Sequence, residues 1–368
     1  MDEKPEITRY FDAMRQRGAS DLHLKVGSPP VIRVHGDLQP LSDEVMTEER
    51  IRKLVDGVAG KLMRERYDPT GNLDFAYSTD EGRYRIDVFR QRGRPSVAVR
   101  LVHRLIKSFE ELHLPKTLQS ISELAQGMVI VAGITGCGKS TTLAAMIEHI
   151  NATSRCHIVT VEDPIEYVYE DKLAFINQRE VGIDVEDFDT ALKYVVRQDP
   201  DVVLIGEMRD PETFASALAA AETGHLVFGT LHTSTAPQTL DRILSFFPED
   251  RHRLIRHDLA FNLRAIVCQT LLPSCREGVD RVPAVEVMLS TPVIRKLILD
   301  GEDRYLADAI RVGREEGMQD FTESFRQLVM DGLVDRRVAF ERAPSVEALK
   351  MALKGIVGGD SGLLGGHE

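Results

Sequence analysis

Residues 128–140 read MVIVAGITGCGKS. Five apolar residues without a polar interruption predict a strand buried on both faces. Gly133-Ile134-Thr135-Gly136-Cys137-Gly138-Lys139-Ser140 then matches G-x-x-x-x-G-K-[ST], and a helix is predicted from Ser140. Strand, glycine-rich turn and helix in that order form a cradle for a phosphate chain. Glycines let backbone N–H groups turn inward around an anion, and the helix N-terminus adds about half a positive charge at the same spot. Gly133, Thr135, Gly136, Cys137, Gly138, Lys139, Ser140 and Thr141 are therefore the candidate nucleotide-binding residues. Lys139 is placed to reach the β- and γ-phosphates, and the Ser140 hydroxyl to meet Mg2+. The ligands this pattern implies are ATP and Mg2+.

Further along, HIVTVE (157–162), DVVLIGE (201–207) and HLVFGTL (225–231) repeat the nearly continuous apolar pattern. Helical segments are predicted between them at 140–151, 187–199, 211–223 and 235–247. Strands alternating with helices predict an α/β fold with helices on a central parallel sheet. After about 252 the chain reads mostly helical, and it ends in a glycine-rich tail, GGDSGLLGGHE, expected to be disordered. Upstream the pattern differs. Ile7, Phe11 and Met14 recur at helical spacing within 6–17, and 47–67 reads as another helix. DLHLKV (21–26), PVIRVHG (30–36), LDFAYS (73–78), RYRIDVF (83–89) and SVAVRLV (96–102) mostly alternate, as strands with one buried face do. The first hundred residues are thus a small α+β unit, and 106–120, with weak periodicity and a proline, reads as the connection to the second.

Four further groups of residues bear chemistry. Asp201–Glu207 is an apolar strand ending in an acid, where P-loop enzymes place a carboxylate toward the metal. Here Gly206 stands where an acid is often found, and Glu207 follows. Val161-Glu162-Asp163-Pro164-Ile165-Glu166 gathers three carboxylates at a strand end, where they repel one another unless a cation is near. One of them could deprotonate an attacking water; by itself such a turn reads as a solvated loop. His225 and His232 bracket the strand HLVFGTL. An odd offset puts them on opposite faces unless the second lies beyond the strand end, so each reads by itself as a hydrogen-bonded structural histidine. Arg83, Arg85, Arg90, Arg92, Arg94, Arg100 and Arg104 make the small unit arginine-rich. They read either as a solvated sheet face or as arginines aimed at the phosphates of a neighbouring active site.

The composition bounds the rest. A net charge of −12 argues against broad nucleic-acid binding. Cys137, Cys156, Cys268 and Cys275 form no C-x-x-C pair and read as reduced structural thiols rather than zinc ligands. The charged N-terminus carries no signal-like apolar segment, and no apolar run approaches the ~20 residues that span a bilayer. These features predict a cytoplasmic protein whose link to a membrane runs through partners.

GITGCGKSTTLAAM, VTVEDPIEYV, INQREVG, VRQDPDVVLIGEMRDPET and AAETGHLVFGTLHTSTA together resemble the secretion-type ATPases that power type IV pili, most closely the PilT/PilU-type retraction branch. The resemblance covers the chain from Ala19 to about Lys354. It implies a PAS-like N-terminal domain (1–105), a linker (106–120), a RecA-like ATPase domain with a helical C-terminal part (121–345) and a tail (346–368). It also implies roles at matching positions. Lys139 and Ser140 serve the phosphate loop, Glu166 is the general base, and Glu207 helps place Mg2+. His225 and His232 sense the nucleotide state, while Arg85 and Arg100 act from a neighbouring subunit, with Arg83 or Arg90 able to substitute. The implied assembly is a homo-hexamer working on an inner-membrane pilus platform protein, with a paralogous ATPase as a possible partner. One stretch departs. Where retraction ATPases carry AIRNLIRE, this chain reads VIRKLILD at 293–300, keeping the apolar positions and Arg295 but not Lys296, Leu299 or Asp300. The departure concerns coupling to retraction rather than nucleotide chemistry, and it leaves open an accessory paralogue or a related secretion or assembly apparatus. A nucleotide-gated scaffold with little turnover is the alternative of another class.

Overall fold

The computed structural model describes residues 5–34, 36–79, 81–102 and 105–355. It divides into two compact units. One reaches to Leu105 and includes Glu166–Val168; the other holds Ile106–Ile165 and the chain from Tyr169 onward.

The first unit begins with α1 (Thr8–Gln16), whose Tyr10, Phe11 and Met14 are buried. Strands β1 (Ala19–Lys25), β2 (Val31–Val34) and β3 (Asp37–Pro40) follow. Then come α2 (Glu48–Leu62), a π-helical turn (Met63–Tyr67), the short α3 (Asp68–Thr70), and β4 (Asn72–Thr79), β5 (Gly82–Gln91) and β6 (Arg94–Val102). Together the strands form an antiparallel sheet in the order β3-β2-β1-β6-β5-β4. Alternation sends Leu22, Leu24, Ile86, Val88, Val97 and Val99 into one core with Ile7, Phe11, Leu54 and Val55 of the helices. Strand β3 escapes a periodicity reading because all four of its residues are exposed. Its pairing with β2 runs from Asp37 to Pro40.

The second unit is built on α4 (Thr117–Ser122), β7 (Gly127–Ala132), α5 (Lys139–Thr153), β8 (His157–Glu162), β9 (Phe175–Glu180), α6 (Phe188–Val195) and β10 (Val202–Ile205). It continues through α7 (Pro211–Glu222), β11 (Leu226–Leu231), α8 (Ala236–Leu244), α9 (His252–Asn262), β12 (Leu263–Pro273) and β13 (Arg281–Leu289). It closes with α10 (Pro292–Asp300), α11 (Leu306–Val312), α12 (Phe321–Met330), α13 (Arg336–Arg342) and α14 (Val346–Leu353). The sheet order is β13-β12-β7-β11-β10-β8-β9, parallel except for β13. Every residue of β7, β10 and β11 is buried, as a sheet covered on both faces requires. The two-residue period divides them between two cores. Met128, Ile130, Val203, Ile205, Val227 and Leu231 pack under α6–α9. Val129, Val131, Val202, Leu204, Leu226 and Phe228 pack under α5 with Phe109, Leu118 and Ile121. Burying each such side chain contributes about 1.5–3 kcal/mol, so both faces of the sheet are needed.

Two expectations are corrected. The chain after 252 is not mostly helical at once, because α9 is followed by β12 and β13, which extend the sheet beside β7. Both strands are buried almost throughout, yet LRAIVCQTLLP and RVPAVEVML are interrupted by polar residues and show neither clean alternation nor an unbroken apolar run. The edge strand β9 was also unmarked, since Phe175–Glu180 mixes polar and apolar residues with half-exposed faces. The stretch from 346, expected to open a tail, carries α14 with Leu349 buried; the glycine-rich end lies outside the described residues. Among the described residues no helix is long and apolar enough to cross a membrane.

Candidate functional site

The carboxyl ends of β7, β11, β10 and β8 lie along one edge of the parallel sheet, where open α/β sheets bind ligands. Gly133–Gly138 follows β7, Glu207 follows β10 and His232 follows β11. The turn Asp163–Ile165, with a cis Asp163-Pro164 bond, follows β8.

The glycine loop is closed by contact as well as by backbone freedom. Gly138 has φ +94° and is the N-cap of α5, which has no side-chain cap, so its first N–H groups point into the loop. A Cβ on Gly138 would lie 2.6 Å from Gln269 Nε2, and one on Gly133 would lie 2.3 Å from Cys137 Sγ and 2.6 Å from the Gln269 carbonyl. Lys139 Nζ donates to the carbonyls of Gly133 (2.8 Å) and Ile134 (3.3 Å), which holds the ammonium at the loop's mouth. Burial pushes the Cys137 thiol above its usual range, more than the Lys139 charge lowers it. The cysteine is a packing residue under the loop. These features fit a phosphate chain.

Gln269 carries no local sequence signal as a site residue, because it lies in a stretch whose sequence reads as helical. From β12 its Nε2 donates to the Cys137 carbonyl (2.6 Å), and its Oε1 accepts from the Thr142 hydroxyl (2.7 Å). One buried amide therefore ties the glycine loop to the first turn of α5. Beside it opens a cleft of about 470 Å³ lined by Gly138, Thr141, Thr142, Gln269, Leu271 and Arg281, among others. That volume suits a small ligand.

Beyond the loop stands a row of charge. Glu207 meets Arg209 at 2.7 Å and His232 Nε2 at 3.1 Å. Burial pushes the Glu207 carboxyl up, but Arg209 and His232 together outweigh it and hold the group below the ordinary range. Gly206 now has a physical reason. A Cβ there would lie 3.2 Å from the Glu162 Cα, so any side chain at 206 presses on the β8 backbone, and the acid of this strand end stands at 207. The Thr230 hydroxyl donates to the Gly206 carbonyl at 2.6 Å and fixes the turn.

The three carboxylates of the acidic turn do not converge. Glu162 is buried, accepts from the Thr160 hydroxyl (2.7 Å) and receives the Gln178 amide (3.3 Å), while Asp163 and Glu166 are exposed. Mutual repulsion is relieved by turning one acid inward rather than by gathering all three. The buried Glu180 of β9 accepts the Ile165 N–H at 3.1 Å and pins the turn. Its signal in the sequence was INQREVG, whose acid had no assigned role.

The two histidines are separated. His232 lies just past β11 beside Glu207, whereas His225 precedes β11 at the opposite edge, about 20 Å away at ~3.3 Å per strand residue. His225 Nδ1 donates to the Ala220 carbonyl at 2.8 Å. In the first unit Arg85 and Arg100 are cross-strand neighbours on β5 and β6. Arg85 holds Asp74 at 2.5 Å, and Arg100 holds Asp21 at 2.8 Å. Arg90 packs on the Tyr67 ring, 5.6 Å from its centroid. Arg83 sits on β5, Arg92 in the β5–β6 turn with φ +50°, and Arg94 opens β6. Arg104 lies outside the described residues.

A family profile described as type II/IV secretion system protein matches residues 5–302. The chain belongs to this family. Within it, this secretion ATPase is of the PilT/PilU type. It is 39% identical over 339 residues to the type IV pilus retraction ATPase PilT of Pseudomonas aeruginosa, covering 92% of this chain and 98% of that one. It is also 39% identical over 350 residues to the type IV pilus ATPase PilU of the same organism, covering 95% and 91%. A crystal structure of the pilus retraction motor PilT with bound ADP superposes with a TM-score of 0.87 at 39% identity, over 95% of this chain and 99% of that one. The secretion ATPase therefore has a RecA-like ATPase fold with an α+β N-terminal domain, and it is a nucleotide-binding protein.

Proposed function

We propose that this chain is the subunit of a homo-hexameric, cytoplasmic ATP-hydrolysing motor that powers type IV pilus retraction through a membrane platform protein. The observation that carries this reading is the glycine loop with Lys139 at the head of α5, on the same sheet edge as Glu207 and His232. The relatives' names supply the retraction. Loop N–H groups and Lys139 bind the β- and γ-phosphates, and the nucleoside end occupies the cleft beside Gln269. Ser140 and Glu207 would hold Mg2+, which would neutralise charge on the phosphate oxygens. Glu166 takes a proton from water as its oxygen attacks the γ-phosphorus; the bond to the β-phosphate oxygen breaks and ADP leaves. Arg85 and Arg100 of a neighbouring subunit exchange their carboxylate partners for phosphate oxygens, which their planar forks suit. His232 reports the change through Glu207, and His225, by resemblance, serves the same nucleotide-sensing set from the far strand end. Site closure on binding and opening on product release convert turnover into motion.

A second reading, an accessory paralogue, is favoured by α10. It exposes Val293 and Leu299 and carries Lys296 and Asp300 where retraction ATPases read otherwise. The deciding experiment supplies a strain lacking this chain with wild type, Lys139→Ala or Glu166→Gln, and reads surface pili and twitching. Wild type is expected to lower piliation and restore twitching while both variants fail. Restoration by Lys139→Ala would contradict an ATP-driven role.

A further inference from the structure

Glu286 is the acid in the buried interior of β13, 7% exposed, with Val285 and Val287 beside it and Ala284 and Met288 two residues away on either side. A carboxylate is costly to bury unless it holds something. What it holds is the N–H of Ala236, the first residue of α8, at 2.8 Å. Ala236 is fully buried, and only residues 232–235 separate it from the end of β11. That link is braced throughout. The hydroxyls of Thr233 and Thr239 meet at 2.7 Å, Ser234 N–H donates to Gln238 Oε1 at 3.3 Å, and Thr239 donates to the Thr235 carbonyl at 2.8 Å. At its other end His232 meets Glu207.

We propose that Glu286 is a positioning residue for the hydrolytic site: by holding the Ala236 N–H it sets where residues 232–235 stand and keeps His232 against Glu207. The inference rests on the ATPase reading above and adds a residue to it. The groups facing Glu286 are the Cys268 thiol, its register partner on β12, and Asp320 at the start of α12. Asp320 is itself met by Arg311 of α11 at 3.4 Å and by Arg314 at 4.0 Å. On α8, Asp241 and Arg242 are exposed. Burial pushes the Glu286 carboxyl up to about 7, the Ala236 N–H lowers it, and Asp320 raises it further. The ionised carboxylate accepts the N–H more strongly than the neutral acid, so while Glu286 stays buried on β13 the Ala236 N–H is held more firmly as pH rises through 7, although the fold as a whole loses the stability of the buried neutral acid.

The test uses the full chain as wild type, Glu286→Gln and Glu286→Leu. It reads steady-state ATP turnover from pH 6 to 8.5 and, without nucleotide, amide exchange in the peptide spanning 232–240. Gln keeps an acceptor but cannot ionise. It is expected to retain most activity and to lose the rise through pH 7, in both turnover and protection of Ala236. Leu is expected to lower kcat about tenfold or more, with KM for ATP within about threefold, and to speed exchange at Ala236. Should Leu not fold, the Gln profiles decide. An unchanged pH rise in Gln, or wild-type kcat and exchange in a folded Leu variant, overturns the proposal. Wild type that fails to hydrolyse ATP overturns the ATPase reading instead, and the exchange measurement still judges Glu286.

Discussion

Replacing Gln269 by Leu tests how the phosphate loop is held. The substitution keeps nearly the same volume and removes two buried hydrogen bonds, to the Cys137 carbonyl and from the Thr142 hydroxyl. Cys137 and Thr142 are each 2% exposed, so water reaches the lost partners only from the cleft beside Gln269. An orphaned buried polar group costs about 1–3 kcal/mol. Two of them give about 2–6 kcal/mol. For a domain of this size that lowers Tm by roughly 4–24 °C. Part of the loss must appear in binding, because the freed loop has to be reordered around the phosphates. About 2 kcal/mol of lost pre-organisation weakens ADP binding about 30-fold. The assay pairs a thermal melt with titration of a fluorescent ADP analogue. Gln269→Glu separates the two bonds, since it can accept from Thr142 but cannot donate to the carbonyl. A Gln269→Leu protein that melts lower but binds ADP within twofold of wild type would refute the reasoning, leaving Gln269 a core residue with no hold on the loop.

The remaining predictions concern assembly and packing. Mixing Arg100→Ala subunits with Lys139→Ala subunits, each inactive alone, is expected to restore part of the ATPase rate, because some sites pair an intact loop with an intact arginine; no restoration would place Arg100 outside the neighbour's site. Glu286, raised to about 7, keeps a proton in the folded protein that the unfolded chain loses above its ordinary value of 4.5. Its contribution is full below that value and lost as pH rises through 7, so Glu286→Gln should gain up to about 3 kcal/mol relative to wild type between pH 5 and 8; equal pH slopes in urea melts would contradict this. Gly206→Ala, whose Cβ would press on the Glu162 backbone, should cost about 1–3 kcal/mol and shift Glu207; a Tm equal to wild type would show that β8 yields freely.

What could be read from sequence followed from how local each signal is. The run 128–140 carried the strand, the loop and the helix start within thirteen residues, and the structure places all three. The alternating strands of the first unit were visible for the same reason. Strands β12 and β13 were not, because polar residues such as Gln269 and Glu286 interrupt runs that are otherwise buried on both faces. With them went Gln269 and Glu286, whose partners Cys137, Thr142 and Ala236 lie 132, 127 and 50 positions away. Contacts of that range leave no local pattern. The pairing of His232 with Glu207 was invisible as well, since it depends on β10 and β11 lying side by side. His225, equal to His232 as a sequence signal, ends at the opposite sheet edge.

The central claim is an ATP-driven motor with sites shared between subunits. The measurement that tests it most directly is steady-state ATP hydrolysis across a protein concentration series, with particle size followed in parallel. The account predicts a rate per chain that climbs steeply as a hexamer assembles, that Lys139→Ala abolishes with loss of nucleotide binding, and that Glu166→Gln abolishes with binding intact. A background rate in fully assembled particles, left unchanged by Glu166→Gln, would contradict it.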